Sequence, residues 1–186
     1  MKDKACLLLA PQEKTNSEGL KLLNLQIWTP GKETFLSQMS AVSGQPWAQK
    51  LLRPTERIPG SFTPLPEGAY TLGPLEWASG KQGDFSGSFG AGLGPIWVLI
   101  TPGYRWVVNP CQSYDFGIHA DWNEAISPGT AGCVGIQGAA GPRDLERLKT
   151  ICHWFMSYRI EFLYVHYGKG YSTLTEFHKL RKELGA

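Results

Sequence analysis

One cysteine and one histidine near the middle of the chain belong to the residue types that catalyse acyl transfer. The segment 116–136 reads FGIHADWNEAISPGTAGCVGI and contains His119 and Cys133. A cysteine thiol has a pKa of about 8.5, so little of it is the nucleophilic thiolate at neutral pH. A neighbouring imidazole can take the thiol proton, and the resulting imidazolium stabilises the thiolate. The two residues therefore predict a nucleophile, Cys133, and a general base, His119, provided that the fold brings them together.

The alternation of side chains along short strands favours this pairing. If Ile118 and Val134 face the core, then His119 and Cys133 both face away from it, and the loop 120–132 lies between them. Gly132, directly before the cysteine, removes side-chain bulk at this point. The backbone N–H groups of Gly132 and Cys133 are therefore predicted to stabilise a developing oxyanion.

Two other interpretations of the same residues stay open. A lone cysteine and a lone histidine are most often structural, and cysteine is among the most buried residue types. His119, Asp121 and Cys133 are also of metal-ligating types, but no second ligand pair at suitable spacing accompanies them. We therefore expect no metal and no other cofactor.

The elements that must position these residues are predicted to be strands first and helices late. The predicted strands cover residues 5–9, 21–29, 33–42, 67–72, 96–101, 104–108, 115–119, 133–136 and 160–167. Helices are predicted at about 142–158, where Cys152 falls on the apolar stripe, and at about 174–184. This order predicts an α+β, mostly β, fold in one domain that spans residues 1–186.

Charge and hydropathy exclude several classes of function. The net charge of +2, from 18 basic and 16 acidic residues, is too balanced to indicate nucleic-acid binding. The apolar run at 5–10 is shorter than a signal peptide requires, and no stretch approaches the roughly 20 residues of a membrane span. We expect no membrane span, and no export signal is visible, although a chain that had lost its leader would look the same.

The block TAGCV at 130–134, preceded by GIH at 117–119, resembles the signature of the L,D-transpeptidase (YkuD-like) family. In that signature an Ile-His pair and a loop precede Ser/Thr-His-Gly-Cys and an aliphatic residue. The segment PLPEGAY at 64–70 resembles the family's Thr-Pro-x-Gly-x-Tyr/Phe motif, where a strand begins. The resemblance extends over roughly residues 20–167, but only the block 117–134 is specific.

The resemblance implies a mostly β, YkuD-like sandwich or sheet with a catalytic cleft. It further implies that Cys133 attacks an L,D-peptide bond of a peptidoglycan stem and forms a thioester acyl-enzyme, with His119 as base. An amine or water then resolves the thioester, which gives exchange or hydrolysis. The family's histidine is oriented by a backbone carbonyl, so no carboxylate partner is needed. Contacts to the substrate are expected from Thr130, Ala120, Asp121 and Trp122.

Two positions depart from the family pattern. The family's second histidine, two residues before the cysteine, is Ala131 here, and the arginine two residues after it is Gly135. The short loop before the cysteine resembles L,D-transpeptidase-like effectors that bacteria inject into rivals, and some phage proteins. This implies action in the periplasm or cell wall after delivery, with an immunity or delivery protein as partner if the chain is such an effector.

Two further functions fit the residues. One is a catalytically lapsed module that binds wall glycan or a protein partner through its aromatic residues, which the loss of the histidine and the arginine favours. The other is a cysteine peptidase that acts on ordinary proteins, which needs the dyad but not the motif.

Overall fold

Eight strands close into a barrel in a computed structural model that describes residues 3–29, 34–49, 62–102, 116–138 and 145–168. The strands are β1 (Lys4–Thr15), β2 (Lys21–Thr29), β3 (Thr34–Val42), β4 (Gly68–Trp77), β5 (Ile96–Pro102), β6 (Phe116–Ala120), β7 (Val134–Ile136) and β8 (Arg159–Val165). Their order around the barrel is β1-β2-β3-β7-β6-β5-β4-β8, and β8 closes it by pairing parallel to β1. The mostly β composition is confirmed, and the strands form a closed barrel where the resemblance implied a sandwich or sheet.

Alternating apolar residues fill the barrel, as period-two patterning requires. On β5 the fully buried residues are Ile96, Val98 and Ile100, whereas Trp97 and Leu99 between them are only partly buried. The same phase on the neighbouring strands gives an interior core that includes Leu7, Leu9, Leu23, Leu25, Ile27, Met39, Ile118, Ala120, Val134, Ile136, Leu163 and Val165. Ile118 and Val134 thus face the core, as the sequence predicted.

Strands β6 and β7 are adjacent and parallel, which decides the geometry of the site. Ile118 lies opposite Val134 and His119 opposite Gly135. Parallel neighbours need a crossover of about a dozen residues or more, and the connection 121–133 supplies one without a helix. On its other side β7 pairs antiparallel with β3, where Val42 lies opposite Gly135.

The first predicted helix is present as α1 (Glu146–Ser157). Its buried face consists of Leu148, Ile151, Cys152 and Trp154, so the core position predicted for Cys152 is confirmed. The predicted helix at 174–184 and the predicted strand at 104–108 lie outside the described residues. Within the described ranges, no helix combines the length and the apolar character that crossing a membrane would require.

Two strands are longer than predicted because of their pairing. β1 continues past residue 9 because it pairs with β2 as far as Thr15. β4 continues past Leu72 through Gly73 and Pro74, where the register with β5 shifts before it resumes at Leu75. A bulge of this kind lets a strand pass through residues that would otherwise end it.

Candidate active site

The His119 ring is held by one hydrogen bond and one aromatic stack. Its Nδ1 lies 2.5 Å from the carbonyl oxygen of Ala120, and a carbonyl oxygen can only accept, so Nδ1 carries the proton. Nε2 of the neutral ring is then left with its lone pair. The ring also stacks on the Trp97 indole, with centroids 5.8 Å apart and planes 9° apart. This arrangement agrees with the expectation that a backbone carbonyl orients the histidine.

Burial keeps the His119 imidazole neutral. The side chain is 4% exposed, and desolvation lowers its pKa from 6.5 to about 4, although the hydrogen bond to Ala120 acts in the opposite direction. At neutral pH the ring is therefore uncharged, with a proton on Nδ1 and none on Nε2. A neutral imidazole with a free Nε2 lone pair is the state that can accept a thiol proton.

Cys133 lies immediately before β7 and is a half-buried thiol. Extending the β6–β7 register by one residue places it opposite Gly117, on the outer face that His119 also occupies. With strands about 4.8 Å apart and a rise of about 3.3 Å per residue, the Cα atoms of Cys133 and His119 are about 8 Å apart. Side chains that lean towards each other can bridge such a distance, so the topology is compatible with the predicted pairing of nucleophile and base, which stays a prediction.

Thr130 holds the turn that precedes the cysteine. Its hydroxyl donates to the Cys133 carbonyl at 2.6 Å and accepts from the backbone N–H groups of Gly44 at 3.1 Å and Gly132 at 3.3 Å. The side chain is 4% exposed. The hydroxyl is thus engaged with the backbone and holds the turn before the cysteine, and the substrate contact of Thr130 stays a prediction.

Gly132 has a backbone conformation that favours glycine. Its φ is +116°, and a Cβ at this position would lie 2.7 Å from Cε1 of Phe116. Its carbonyl accepts from the Ser43 hydroxyl at 3.2 Å, and its N–H points at Thr130. The oxyanion role of the Gly132 and Cys133 N–H groups stays a prediction, and for Gly132 it requires that the 3.3 Å hydrogen bond be shared or exchanged.

Asp121 is buried rather than solvated. It is 1% exposed, and its Oδ2 accepts from the Gly129 N–H at 3.0 Å and from Nε2 of Gln137 at 2.6 Å. Its Oδ1 is buried without a hydrogen-bond partner among the described residues. Desolvation raises the pKa of this carboxyl from 3.8 to about 6. Asp121, at the start of the crossover, is thus connected to Gly129 near its end and to Gln137 just after β7. Its contact with a substrate stays a prediction.

Ala120 and Trp122, both predicted to contact a substrate, have other surroundings. The Ala120 side chain is fully buried in the barrel core and its carbonyl contacts His119, and its contact with a substrate stays a prediction. The Trp122 indole packs against Gly94, where any side chain would overlap it, and the backbone N–H of Trp122 donates to the Gly92 carbonyl at 3.1 Å. Trp122 therefore packs the glycine-rich segment against the crossover.

The two departures from the family pattern have different surroundings. Ala131 is exposed, so a longer side chain would have room there. At Gly135, in contrast, a Cβ would lie 2.9 Å from the Thr130 methyl and 3.2 Å from both Asp121 and Val42. The packing of Thr130 and Asp121 over β7 leaves no room for an arginine at position 135 unless they move.

Trp97 is the site residue that sequence reasoning missed. Its indole covers Gly117, where any side chain would overlap the ring, and it stacks on His119. The signal was present in two places: Trp97 alternates with core residues of β5, and Gly117 is the smallest residue of β6. Neither signal tells which strands are neighbours, and the pairing of Trp97 with His119 supplies that information.

Outside this site the remaining described histidines have local partners. His153 lies within hydrogen-bond distance of Ser157 on α1, and His166 pairs with Glu67 at 3.3 Å. No group of three or more metal-ligating side chains occurs in the part of the chain that the structure describes. Searches with family models, curated proteins and solved structures found no match to this chain.

Proposed function

We propose that the protein is a cysteine-dependent acyltransferase of the L,D-transpeptidase type that acts on peptidoglycan stem peptides. The observation that carries the proposal is the orientation of the His119 ring on β6, where the Ala120 carbonyl accepts from its Nδ1–H. Strand β6 pairs parallel with β7, and Cys133 directly precedes β7. The choice of substrate depends on the resemblance of the block 117–134 to that family. The missing histidine and arginine leave the acceptor open, so exchange and hydrolysis are both proposed outcomes.

The first half of the reaction forms a thioester. Nε2 of His119 takes the thiol proton as Sγ of Cys133 attacks the carbonyl carbon of the stem peptide bond. The tetrahedral intermediate collapses, the C–N bond breaks, and the proton on Nε2 passes to the leaving amine. The acyl group is then joined to Sγ, and His119 is neutral again.

The second half releases the acyl group. An incoming amine or a water molecule gives its proton to Nε2 and attacks the thioester carbonyl. The C–S bond then breaks, and the thiolate recovers the proton from His119. An amine acceptor gives an exchanged or cross-linked stem, and water gives a shortened one.

The experiment is muropeptide analysis by mass spectrometry after incubation with the purified protein. We expect exchanged, cross-linked or shortened stems from the wild type and none from Cys133→Ala. Cys152→Ala is the matched control, because burial raises the pKa of that thiol to about 12 and makes it a poor nucleophile. Unchanged muropeptides with the folded wild type, or products that survive Cys133→Ala, would contradict the proposal.

The runner-up is a module that binds the wall without catalysis. It is favoured by position 135, where Thr130 and Asp121 occupy the space that the family's arginine would need. In that case the Cys133 thiol reacts with a thiol probe no faster than free cysteine does, while the protein still sediments with sacculi. Cleavage of casein-like proteins without action on muropeptides would instead select a general cysteine peptidase.

A further inference from the structure

Two exposed aromatic side chains lie on segments that border the turn before the cysteine. Trp47 is 72% exposed and Phe62 is 42% exposed. Their ring centroids are 5.4 Å apart and the planes are tilted by 50°. We call these two residues the aromatic platform. Large apolar side chains that contact each other and face water are a common mark of a binding site.

Backbone contacts connect the platform to the turn before the nucleophile. The Gln45 N–H donates to the Phe62 carbonyl at 2.8 Å, and the Thr130 N–H donates to the Gly44 carbonyl at 3.0 Å. The carbonyl of Thr63 lies 3.4 Å from the position of a Cβ on Gly132. The segments that carry both aromatic residues therefore border the turn at 130–133.

Phe62 also has an unusual backbone conformation. Its φ is +63°, in the left-handed region that bulky residues other than glycine rarely adopt. Such conformations cost free energy and are concentrated at ligand-binding and catalytic sites. The carbonyl of Phe62 accepts the hydrogen bond from Gln45 in this conformation, and the ring contacts Trp47.

The composition of the two described stretches that carry the platform indicates what it would bind. The stretches SGQPWA at 43–48 and FTPLP at 62–66 contain no charged residue. A stem peptide carries carboxylates and amines, for which these stretches offer no opposite charge. The sugar rings of the glycan strand are neutral, and their faces present C–H groups that suit the negative face of an aromatic ring.

We propose that Trp47 and Phe62 bind a neutral sugar ring of the glycan strand to which the stem peptide is attached. The inference depends on the proposed function, because it takes the stem as the substrate of Cys133. The sugar would stack on the platform while its stem extends past Gly132 to the thiol. The protein would then prefer a stem that still carries its disaccharide over the same stem without sugar.

The kinetic test compares disaccharide-tetrapeptide with sugar-free tetrapeptide. We expect the wild type to show about a three- to tenfold higher kcat/KM for the disaccharide-linked substrate. Trp47→Ala should bring the ratio close to one by lowering kcat/KM for the disaccharide-linked substrate. A wild type without this preference, or a Trp47→Ala variant that loses both rates equally, would overturn the inference and leave the proposed function standing.

Phe35→Ala is the matched control. Phe35 is 43% exposed and contacts the buried Trp28 with centroids 5.3 Å apart, so it is an aromatic residue of similar exposure to Phe62. It is seven residues before Val42 on β3, about 23 Å from the site along the strand. We expect the ratio for Phe35→Ala to equal that of the wild type, and a collapsed ratio here would overturn the assignment to the platform.

A binding measurement separates this inference from the proposed function. Isothermal titration of the Cys133→Ala protein with an N-acetylated β-1,4-linked disaccharide should show binding that Trp47→Ala abolishes and Phe35→Ala preserves. If this binding is seen but the wild type is inactive on stem peptides, the platform is supported and only the proposed function is contradicted. If the protein shows no binding of the disaccharide and no kinetic preference, the inference is overturned, whatever the activity on stems.

Discussion

Replacing His119 or Asp121 by asparagine should change the pH dependence of stability in opposite directions. Burial gives His119 a pKa of about 4 in the folded protein against 6.5 ordinarily, so only the unfolded chain binds this proton between those values. Stability from His119 is therefore present above pH 6.5 and is lost as pH falls towards 4. Asp121 has a folded pKa of about 6 against 3.8, so its contribution is present below pH 3.8 and is lost as pH rises towards 6.

The two contributions are similar in size and overlap in pH. At 1.36 kcal/mol per pKa unit, each shift corresponds to about 3 kcal/mol. In the wild type they largely cancel between pH 4 and 6. Relative to the wild type, His119→Asn should therefore lose about 3 kcal/mol of stability as pH rises from 4 to 6.5. Asp121→Asn should gain about 3 kcal/mol between pH 4 and 6, since its amide oxygen can still accept from Gly129 and Gln137.

Urea unfolding followed by tryptophan fluorescence at pH 4, 5, 6 and 7 measures these differences. Subtracting the wild-type curve removes the contribution of exposed carboxyl groups, which all three proteins share. Opposite slopes support burial as the cause of both pKa shifts. Parallel slopes, or pH-independent differences, would refute the reasoning, because they would mean that the two groups are solvated or ionise together as a pair.

Three other substitutions test the surroundings of the dyad. Gly132→Ala should destabilise the protein by about 2–3 kcal/mol in chemical unfolding, against about 1 kcal/mol for Gly19→Ala, whose φ of +79° carries the strain without a nearby atom. Thr130→Val should cost about 1–3 kcal/mol by leaving buried backbone groups unsatisfied, while Thr130→Ser should stay close to wild type. Trp97→Ala should admit water to His119 and raise its pKa from about 4 towards 6.5 in an NMR titration.

Each of these expectations has a result that would contradict it. Equal costs for the two glycine variants would mean that the contact with Phe116 does not constrain Gly132. A Thr130→Ser variant as unstable as Thr130→Val would assign the role of Thr130 to its methyl group. An unchanged His119 titration in Trp97→Ala would show that other groups exclude water from the ring.

The parts of the site that depend on local alternation could be predicted from the sequence. Ile118 and Val134 are apolar and alternate with glycine, histidine and cysteine, so their inward phase determines that of His119. The need for glycine at position 132 also followed from its place before the nucleophile. These features depend on residues close in sequence, and period-two patterning is strongest at that range.

The features that depend on long-range pairing could not be predicted. The barrel closes because β1 pairs with β8, which are more than 140 residues apart, and no local pattern specifies that contact. The stack of Trp97 on His119 likewise needs the β5–β6 register. The burial of Asp121 also could not be predicted, because the sequence does not show that Gly129 and Gln137 return to it.

Acylation of Cys133 by a stem peptide, with His119 as base, can be tested by intact-protein mass spectrometry after the protein is mixed with disaccharide-tetrapeptide. We expect a mass increase equal to the donor minus its leaving amine, which maps to Cys133, disappears with hydroxylamine and is absent from His119→Asn. A wild-type protein that remains unmodified, or an adduct that maps to another residue, would mean that Cys133 is not the nucleophile of this reaction.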